Sequence, residues 1–211
     1  MRYKWLNKQN NKNFILFLNG WGMDESAVYH LKNEGFDILA FNDYRKFDLE
    51  LTNMDFSGYT RKYLVAWSMG VYVSGIFSNV LNNFDKKIAI AGTQKIIDNN
   101  FGIPNKIYNC TVKFFNDKSK EKFIENIFLN EKQNFKISKS TNELKEELIA
   151  IQNLKVDSSI DYDKAIVATN DIIVPYKNQL NFWQTKVAEI VEIKAPHYIF
   201  NNFKGWFDII C

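Results

Sequence analysis

The chain has 211 residues, 46% of them hydrophobic and 24% charged, with a formal net charge of +3. That composition fits one globular domain, alone or carrying an insertion, able to bury roughly 70% of its unfolded surface without staples. It excludes a membrane span, since no apolar run approaches ~18 residues, and the charge is too small to argue for nucleic acid. Two histidines and two cysteines, with no HExxH and no CxxC, leave no metal centre, and no metal or organic cofactor is expected. Cys110 and Cys211 make no disulfide framework, and "MRYKWLNKQNNKNF" lacks a secretory apolar region and a cleavage site, so a cytoplasmic location is expected.

Phe14 to Leu18 is a continuous apolar run ending at Asn19-Gly20, the pattern of a central strand covered on both faces. Asp24-Glu25-Ser26 offers a helix start, with Val28 and Leu31 apolar and Gly35 as the stop. Phe36 to Phe41 is a second strand, and the polar stretch from Asn42 to Thr60 reads as mostly loop. Tyr63 to Trp67 is the third strand, followed by a helix from Met69 to about Val80; Lys86 to Thr93 is the fourth. From Gln94 to about Val156 the texture turns to Lys, Asn, Phe and Ile with helical patterns, as in "SKEKFIENIF" and "STNELKEELIAIQNL". Strand texture returns at Lys164 to Asp171 and at Lys186 to Ala195, and a last helix is expected from His197 or Tyr198 to about Ile209. Strands alternating with helices imply a mostly parallel sheet. The expected organisation is a core of residues 1–93 and 157–211 interrupted by an insertion, 94–156, over one end of the sheet.

The chemistry concentrates at strand ends. Ser68 stands in Ala66-Trp67-Ser68-Met69-Gly70, where a strand gives way to a helix. Such a tight turn pushes the hydroxyl out above the sheet and requires small residues two before and two after, here Ala66 and Gly70. The usual elbow has glycine where Ala66 stands, and an ordinary helix N-cap serine would present the same five residues. A nucleophilic serine needs a base and an orienting carboxylate, in the order Ser, acid, His for this kind of sheet. His30 precedes Ser68 and falls in the expected amphipathic helix, where it reads as a surface or core-edge residue. His197, in "IKAPHYIF", follows the last strand and is the base. Asp171, two residues past "AIVAT", is the acid; Asn170 between them cannot carry the charge, and Asp43, after the second strand, is the runner-up. For an oxyanion, the amide of Met69 is one donor. The other is Trp21, whose approach Gly20 and Gly22 permit, and whose indole is a candidate pocket wall. "NGWGMDES" lacks the third glycine and the lysine of a phosphate loop.

In this order "NGWGM", "AWSMG", "NDIIVP" and "APHYIF" resemble an α/β-hydrolase. "FLNGWGMD", "FNDYR", "AWSMGVY" and "AGTQKIIDNNFGIP" make the chain similar, along essentially its whole length, to the BioG-type pimeloyl-ACP methyl ester esterases of biotin synthesis. The resemblance implies an α/β-hydrolase fold with a helical lid. It also implies hydrolysis of pimeloyl-ACP methyl ester to pimeloyl-ACP and methanol through an acyl-enzyme. Ser68 would be the nucleophile, His197 the base and Asp171 its partner, with the Trp21 and Met69 amides on the oxyanion. Asn19 stands where many wider relatives have histidine.

An acyl chain tethered to an acidic carrier protein needs an apolar channel and a basic surface outside it. Between Lys113 and Lys139 seven lysines face four acids, with Phe114, Phe115, Phe123, Ile127 and Phe128 interleaved, as a lid with an apolar underside would have. Lys118, Lys120 and Lys122 are the expected contacts with the acyl carrier protein; the same lysines also suit a merely solvated helix face. No nucleic-acid or membrane partner is implied, and a monomer is expected. The competing readings are an acyl thioesterase or broad short-chain carboxylesterase on the same fold, and a non-catalytic binding protein that has kept it.

Overall fold

A computed structural model describes residues 1–33, 35–47, 50–129, 131–133, 135–186 and 189–211. Its centre is a seven-stranded sheet: β1 (Arg2–Asn7), β2 (Asn13–Leu18), β3 (Phe36–Asn42), β4 (Arg61–Trp67), β5 (Lys86–Ile90), β6 (Lys164–Ala168) and β7 (Glu189–Ile193), in the order β1-β3-β2-β4-β5-β6-β7. β1 runs antiparallel to β3, and every other pairing is parallel. With its flanking helices this is the mostly parallel α/β sheet that the alternating pattern implies.

The central strands are apolar throughout because both faces are covered. Along β2 and β4 successive residues alternate between two cores: Phe14, Leu16, Leu18, Leu64 and Ala66 in one, Ile15, Phe17, Val65 and Trp67 in the other. β1 is an edge strand with its first three residues exposed, which is why its sequence carries no apolar run.

Three expected elements differ. The helix from Asp24 to Gly35 is a single 3-10 turn, Glu25–Val28, whose start is capped by the Asp24 carboxylate accepting the Ser26 amide at 2.9 Å. Beyond it Lys32 bridges to Gly205 and leaves the helical path; Glu34 lies outside the described residues. The helix after Ser68 is broken into α1 (Met69–Val73), a 3-10 turn (Ser74–Phe77) and α2 (Ser78–Leu81). Gly75 causes the break: its carbonyl accepts the Ser158 hydroxyl at 2.8 Å, and a Cβ there would stand 2.3 Å from Val156. The final helix is a 3-10 turn (Phe200–Asn202) and a short helix (Trp206–Ile210) parted at Gly205. In the loop from Asn42 to Thr60 a 3-10 turn covers Glu50–Asn53, with Asp48 and Leu49 outside the described residues, as are Val187 and Ala188 of the expected last strand.

Between β5 and β6 lie α3 (Asn105–Phe114), α4 (Asp117–Phe128) and α5 (Thr141–Asn153). Reciprocal capping boxes start the last two, Asn116 with Ser119 and Ser140 with Glu143. Their apolar faces join the two cores of the sheet: Tyr108, Phe115, Leu144, Leu148 and Ile151 enter one, Ile127 and Phe128 the other. Phe114, by contrast, is 62% exposed. A further helix, which shows no capping signal in the sequence, spans Tyr176–Trp183 (α6).

Gly70 fixes how closely α1 approaches β2, since a Cβ there would lie 2.3 Å from the Leu18 carbonyl oxygen. In an unconstrained helix Gly→Ala stabilises by up to about 1 kcal/mol. Here Gly70→Ala is expected to destabilise by roughly 2–3 kcal/mol through overpacking, read as a lowered urea midpoint; a raised midpoint would refute the close approach.

Candidate active site

Ser68 directly follows β4 with φ 54° and ψ −118°, a strained backbone for a residue with a Cβ. The turn holds because its neighbours are bare: Gly70 clears Leu18 and Asn19, and Gly92, after β5, sits where a Cβ would be 2.5 Å from the Ser68 carbonyl. Ser68 occupies the N-cap position of α1 but caps nothing with its side chain. Its Oγ instead lies 2.9 Å from His197 Nε2. The plain capping role that the sequence also allowed is therefore not what the hydroxyl does.

His197 follows β7, and its Nδ1 stands 2.7 Å from Asp171 Oδ2. A carboxylate facing Nδ1 places the ring proton there and leaves Nε2 to accept from the Ser68 hydroxyl. The Asp171 carboxylate is itself fixed: Oδ1 accepts the amides of Ile173 at 2.8 Å and Val174 at 3.0 Å, and Oδ2 accepts the Gln179 side-chain amide at 2.9 Å. From the other side the Trp67 indole donates to the His197 carbonyl at 3.2 Å, so the residue before Ser68 holds the histidine's loop. Ser68, Asp171 and His197 are each at most 5% exposed.

The loop after β2 comes up beside them. Asn19, fully buried, staples it from within: its Oδ1 accepts the Gly20 amide at 3.0 Å and its Nδ2 donates to the Asp24 carbonyl at 2.7 Å. The Trp21 indole donates to the Leu144 carbonyl in α5 at 2.9 Å and packs on Phe123 and Phe115, with ring centroids 4.3 and 5.4 Å away. Trp21 and Met69 line, with Ser68 and His197, a cavity of about 430 Å³ whose remaining wall is largely apolar and comes mostly from α3, α4 and α5. That size lies in the usual range for a small-molecule site.

Several expectations resolve here. Asp43 is not near His197; it follows β3, and Arg45 grips its carboxylate with Nε at 2.8 Å and Nη2 at 2.7 Å, with Arg2 at 3.4 Å. Asn170 is exposed. His30 is exposed and outside any α-helix, with Nε2 3.1 Å from the Phe200 carbonyl. Of the lysines expected at a carrier protein, Lys122 lines the cavity and pairs with Glu125 at 3.0 Å, Lys118 is exposed, and Lys120 is half-buried, donating to the Lys139 carbonyl at 2.6 Å. Lys139 is buried against Glu147 and is no part of a surface. Among the described residues no three His, Cys, Asp or Glu side chains converge on a metal position, and no helix is long and apolar enough to cross a membrane. Sequence reasoning missed Gln179, Trp67 and Glu147. Gln179 and Trp67 carry no signal, but Glu147 stands on the apolar stripe Leu144, Leu148, Ile151 of α5, where a carboxylate is out of place.

The family described as pimeloyl-ACP methyl esterase BioG matches residues 1–209. The chain belongs to this family of ester hydrolases. BioG of Haemophilus influenzae, known as a crystal structure, is 30% identical, with both chains fully covered and a TM-score of 0.87. A curated Haemophilus influenzae protein, uncharacterized, is 33% identical over 208 residues, covering 92% of this chain and 93% of that one. A malonyl-[acyl-carrier protein] O-methyltransferase of Bacteroides fragilis is 34% identical over 203 residues, but the chain spans only 40% of its length. The α/β-hydrolase fold extends to an esterase of Exiguobacterium antarcticum at 15% identity, with a TM-score of 0.67.

Burial pushes the Asp43 carboxyl up, but the Arg45 hydrogen bonds and the Lys139 and Arg45 charges outweigh it and hold the group at about 2. A carboxyl lowered in this way contributes stability above its unfolded value of about 4 and loses it as the pH falls towards 2. Asp43→Asn should therefore be less stable than the parent at pH 7, with the gap closing between about pH 4 and pH 2 in urea titrations. A gap independent of pH would contradict the ion pair.

Proposed function

We propose that the protein hydrolyses the methyl ester of pimeloyl-ACP, releasing methanol and pimeloyl-ACP, as a serine hydrolase of biotin synthesis. What carries the reading is the unbroken line of hydrogen bonds Ser68–His197–Asp171, at 2.9 and 2.7 Å, opening onto an apolar cavity in a member of this family.

The steps follow from the groups present. His197 Nε2 takes the Ser68 proton as Oγ attacks the ester carbonyl, and Asp171 stabilises the imidazolium. The carbonyl oxygen becomes an oxyanion held by the amides of Trp21 and Met69. Met69 is the first residue of α1, so its N–H has no acceptor within the helix. The tetrahedral intermediate collapses by breaking the bond to the methoxy oxygen, which takes the proton from His197 and leaves as methanol. Water, deprotonated by the same nitrogen, then adds to the acyl carbonyl, and His197 returns the proton to Ser68 Oγ as the bond between that oxygen and the acyl carbon breaks.

Residues 94–156 act as a lid whose apolar underside shapes the acyl channel, and the acyl carrier protein docks on its outside. Lys118 and Lys122 are the contacts we assign to it: both are exposed, and Lys122 also lines the cavity. Lys120 contributes less, since its ammonium is engaged by the Lys139 carbonyl. Charges at such a rim act mainly on encounter and specificity. We place the reaction in the cytoplasm, where Cys110 and Cys211, both free and exposed, remain reduced.

Methanol release from methyl-pimeloyl-ACP tests the reading. Ser68→Ala should lower kcat on the order of 10⁶-fold and Asp171→Asn roughly 10⁴-fold. Lys118→Glu combined with Lys122→Glu should raise KM for the carrier-bound ester roughly tenfold, with a far smaller effect on the free methyl ester. Undiminished release by Ser68→Ala would overturn the mechanism, and equal use of free and carrier-bound ester would overturn the carrier role.

A further inference from the structure

Glu147 is fully buried on α5, in a stripe otherwise made of Leu144, Leu148 and Ile151. Burial pushes its carboxyl up, and Lys139, itself only 8% exposed, opposes this with Nζ at 2.7 Å from Oε2. Replacing such a buried pair by apolar residues is often neutral or stabilising. Stability is thus a weak reason for its presence, and its other contacts suggest a stronger one.

Those contacts run to the loop after β2 and to its neighbour. Oε2 accepts the Gly22 amide at 3.3 Å, and Oε1 accepts the Tyr44 amide at 3.0 Å. The Tyr44 hydroxyl in turn donates to the Asn19 carbonyl at 2.7 Å. Along the loop, the Asn19 amide bonds to Phe41, Gly20 to the Asn19 side chain, Gly22 to Glu147 and Met23 to the Gly20 carbonyl. The Trp21 amide alone among these has no acceptor among the described residues, although Trp21 is only 5% exposed. Gly22 sits at φ +76°, and a Cβ there would lie 2.7 Å from Leu144, so α5 presses directly on the residue after Trp21.

We propose that Glu147 is a positioning residue for ester hydrolysis: from α5 it fixes the Gly22 and Tyr44 amides, and so sets the Trp21 N–H at the place where the oxyanion forms. This rests on the hydrolase reading of Ser68 and deepens it. It also makes α5 a fixed buttress of the oxyanion loop, whatever freedom α3 and α4 have. A buried acceptor already held by the Lys139 ammonium and two amides does this without rearranging as charge develops on the substrate, which is what such a site requires.

The test compares the parent with Glu147→Gln, which keeps an acceptor but not the charge. The second variant is Glu147→Met with Lys139→Met, which removes the pair at similar volume and leaves both amides without acceptors. Each is measured for kcat and KM on a short methyl ester, and for inhibition by the matching trifluoromethyl ketone, whose serine adduct carries an oxyanion. Displacing one oxyanion donor costs up to about 10²–10³ in rate. The expected falls in kcat are roughly tenfold for Glu147→Gln and roughly a hundredfold for the double variant, with KM within about twofold and ketone affinity falling in step with kcat. If Glu147→Gln does not fold, the double variant decides. Unchanged kcat in a folded variant, or reduced kcat with full ketone affinity, overturns the positioning role while leaving the hydrolase standing. A parent enzyme that hydrolyses no ester, and whose Ser68 takes no fluorophosphonate, overturns both.

Discussion

The site depends on how tightly the backbone turns at Ser68. The turn forces a positive φ on a residue with a side chain, and it fits only because Gly70 lies against the Leu18 carbonyl and Gly92 beneath Ser68 itself. Strain of this kind costs of order 1–3 kcal/mol and persists only where surrounding structure dictates it. Here three parallel strands dictate it. β2 supplies the carbonyls that Gly70 must clear, β4 delivers the serine, and β5 holds its amide, which donates to the Ile90 carbonyl at 2.8 Å. The hydroxyl is left at the strand ends with no local bond to make, free for His197.

The other two strand ends meet it there. β6 is followed within three residues by Asp171, whose carboxylate is held by the first amides approaching α6, and β7 is followed by His197, tethered through its carbonyl to Trp67. Trp67 is fully buried and packs edge-on to Tyr198 and Phe200 in the second core. Core packing and site geometry are thereby one problem: the aromatic cluster that stabilises the sheet also aims the imidazole. The helices between β5 and β6 add the remaining side of the cavity. Because their apolar faces belong to the two cores of the sheet, their packing is shared with that of the fold.

Much of this was legible in the sequence, for reasons that also explain the failures. β2, β4, β5 and β6 are buried on both faces, so they appear as unbroken apolar runs. Ser68 and Asp171 follow two of these runs, and His197 follows the last strand, whose Glu189 and Glu192 interrupt its apolar residues; position after a strand is what marks all three. β1 has one partner and an exposed start, so its residues look like any polar terminus. The helix expected from Asp24 fails because the Asp24 side chain caps only one turn before Lys32 is drawn to Gly205, a partner far along the chain that no local pattern reveals. Gly75 and Gly205 break two other helices by meeting distant backbone. Asp43 had the right residue type at the end of a strand, but β2 separates that strand from β4, and only the strand order excludes it. Gln179, Trp67 and Glu147 act through contacts that are side-chain specific and mostly distant in sequence. Of these only Glu147 left a trace, as a charge on an apolar helical stripe.

The central claim is that Ser68 attacks the methyl ester and not the thioester of the same acyl chain, and the two leave different covalent enzymes. Attack at the methyl ester releases methanol and joins Ser68 through the pimeloyl chain to the intact carrier protein. Attack at the thioester frees the carrier's thiol and leaves a methyl-pimeloyl group on the enzyme. Intact-mass spectrometry of a single turnover, quenched rapidly in acid, separates them at once. The account predicts a transient species with the mass of enzyme plus loaded carrier less one methanol, with the bond mapped to Ser68 by proteolysis. A small acyl group on the enzyme beside free carrier thiol, or a bond at any other residue, would contradict it.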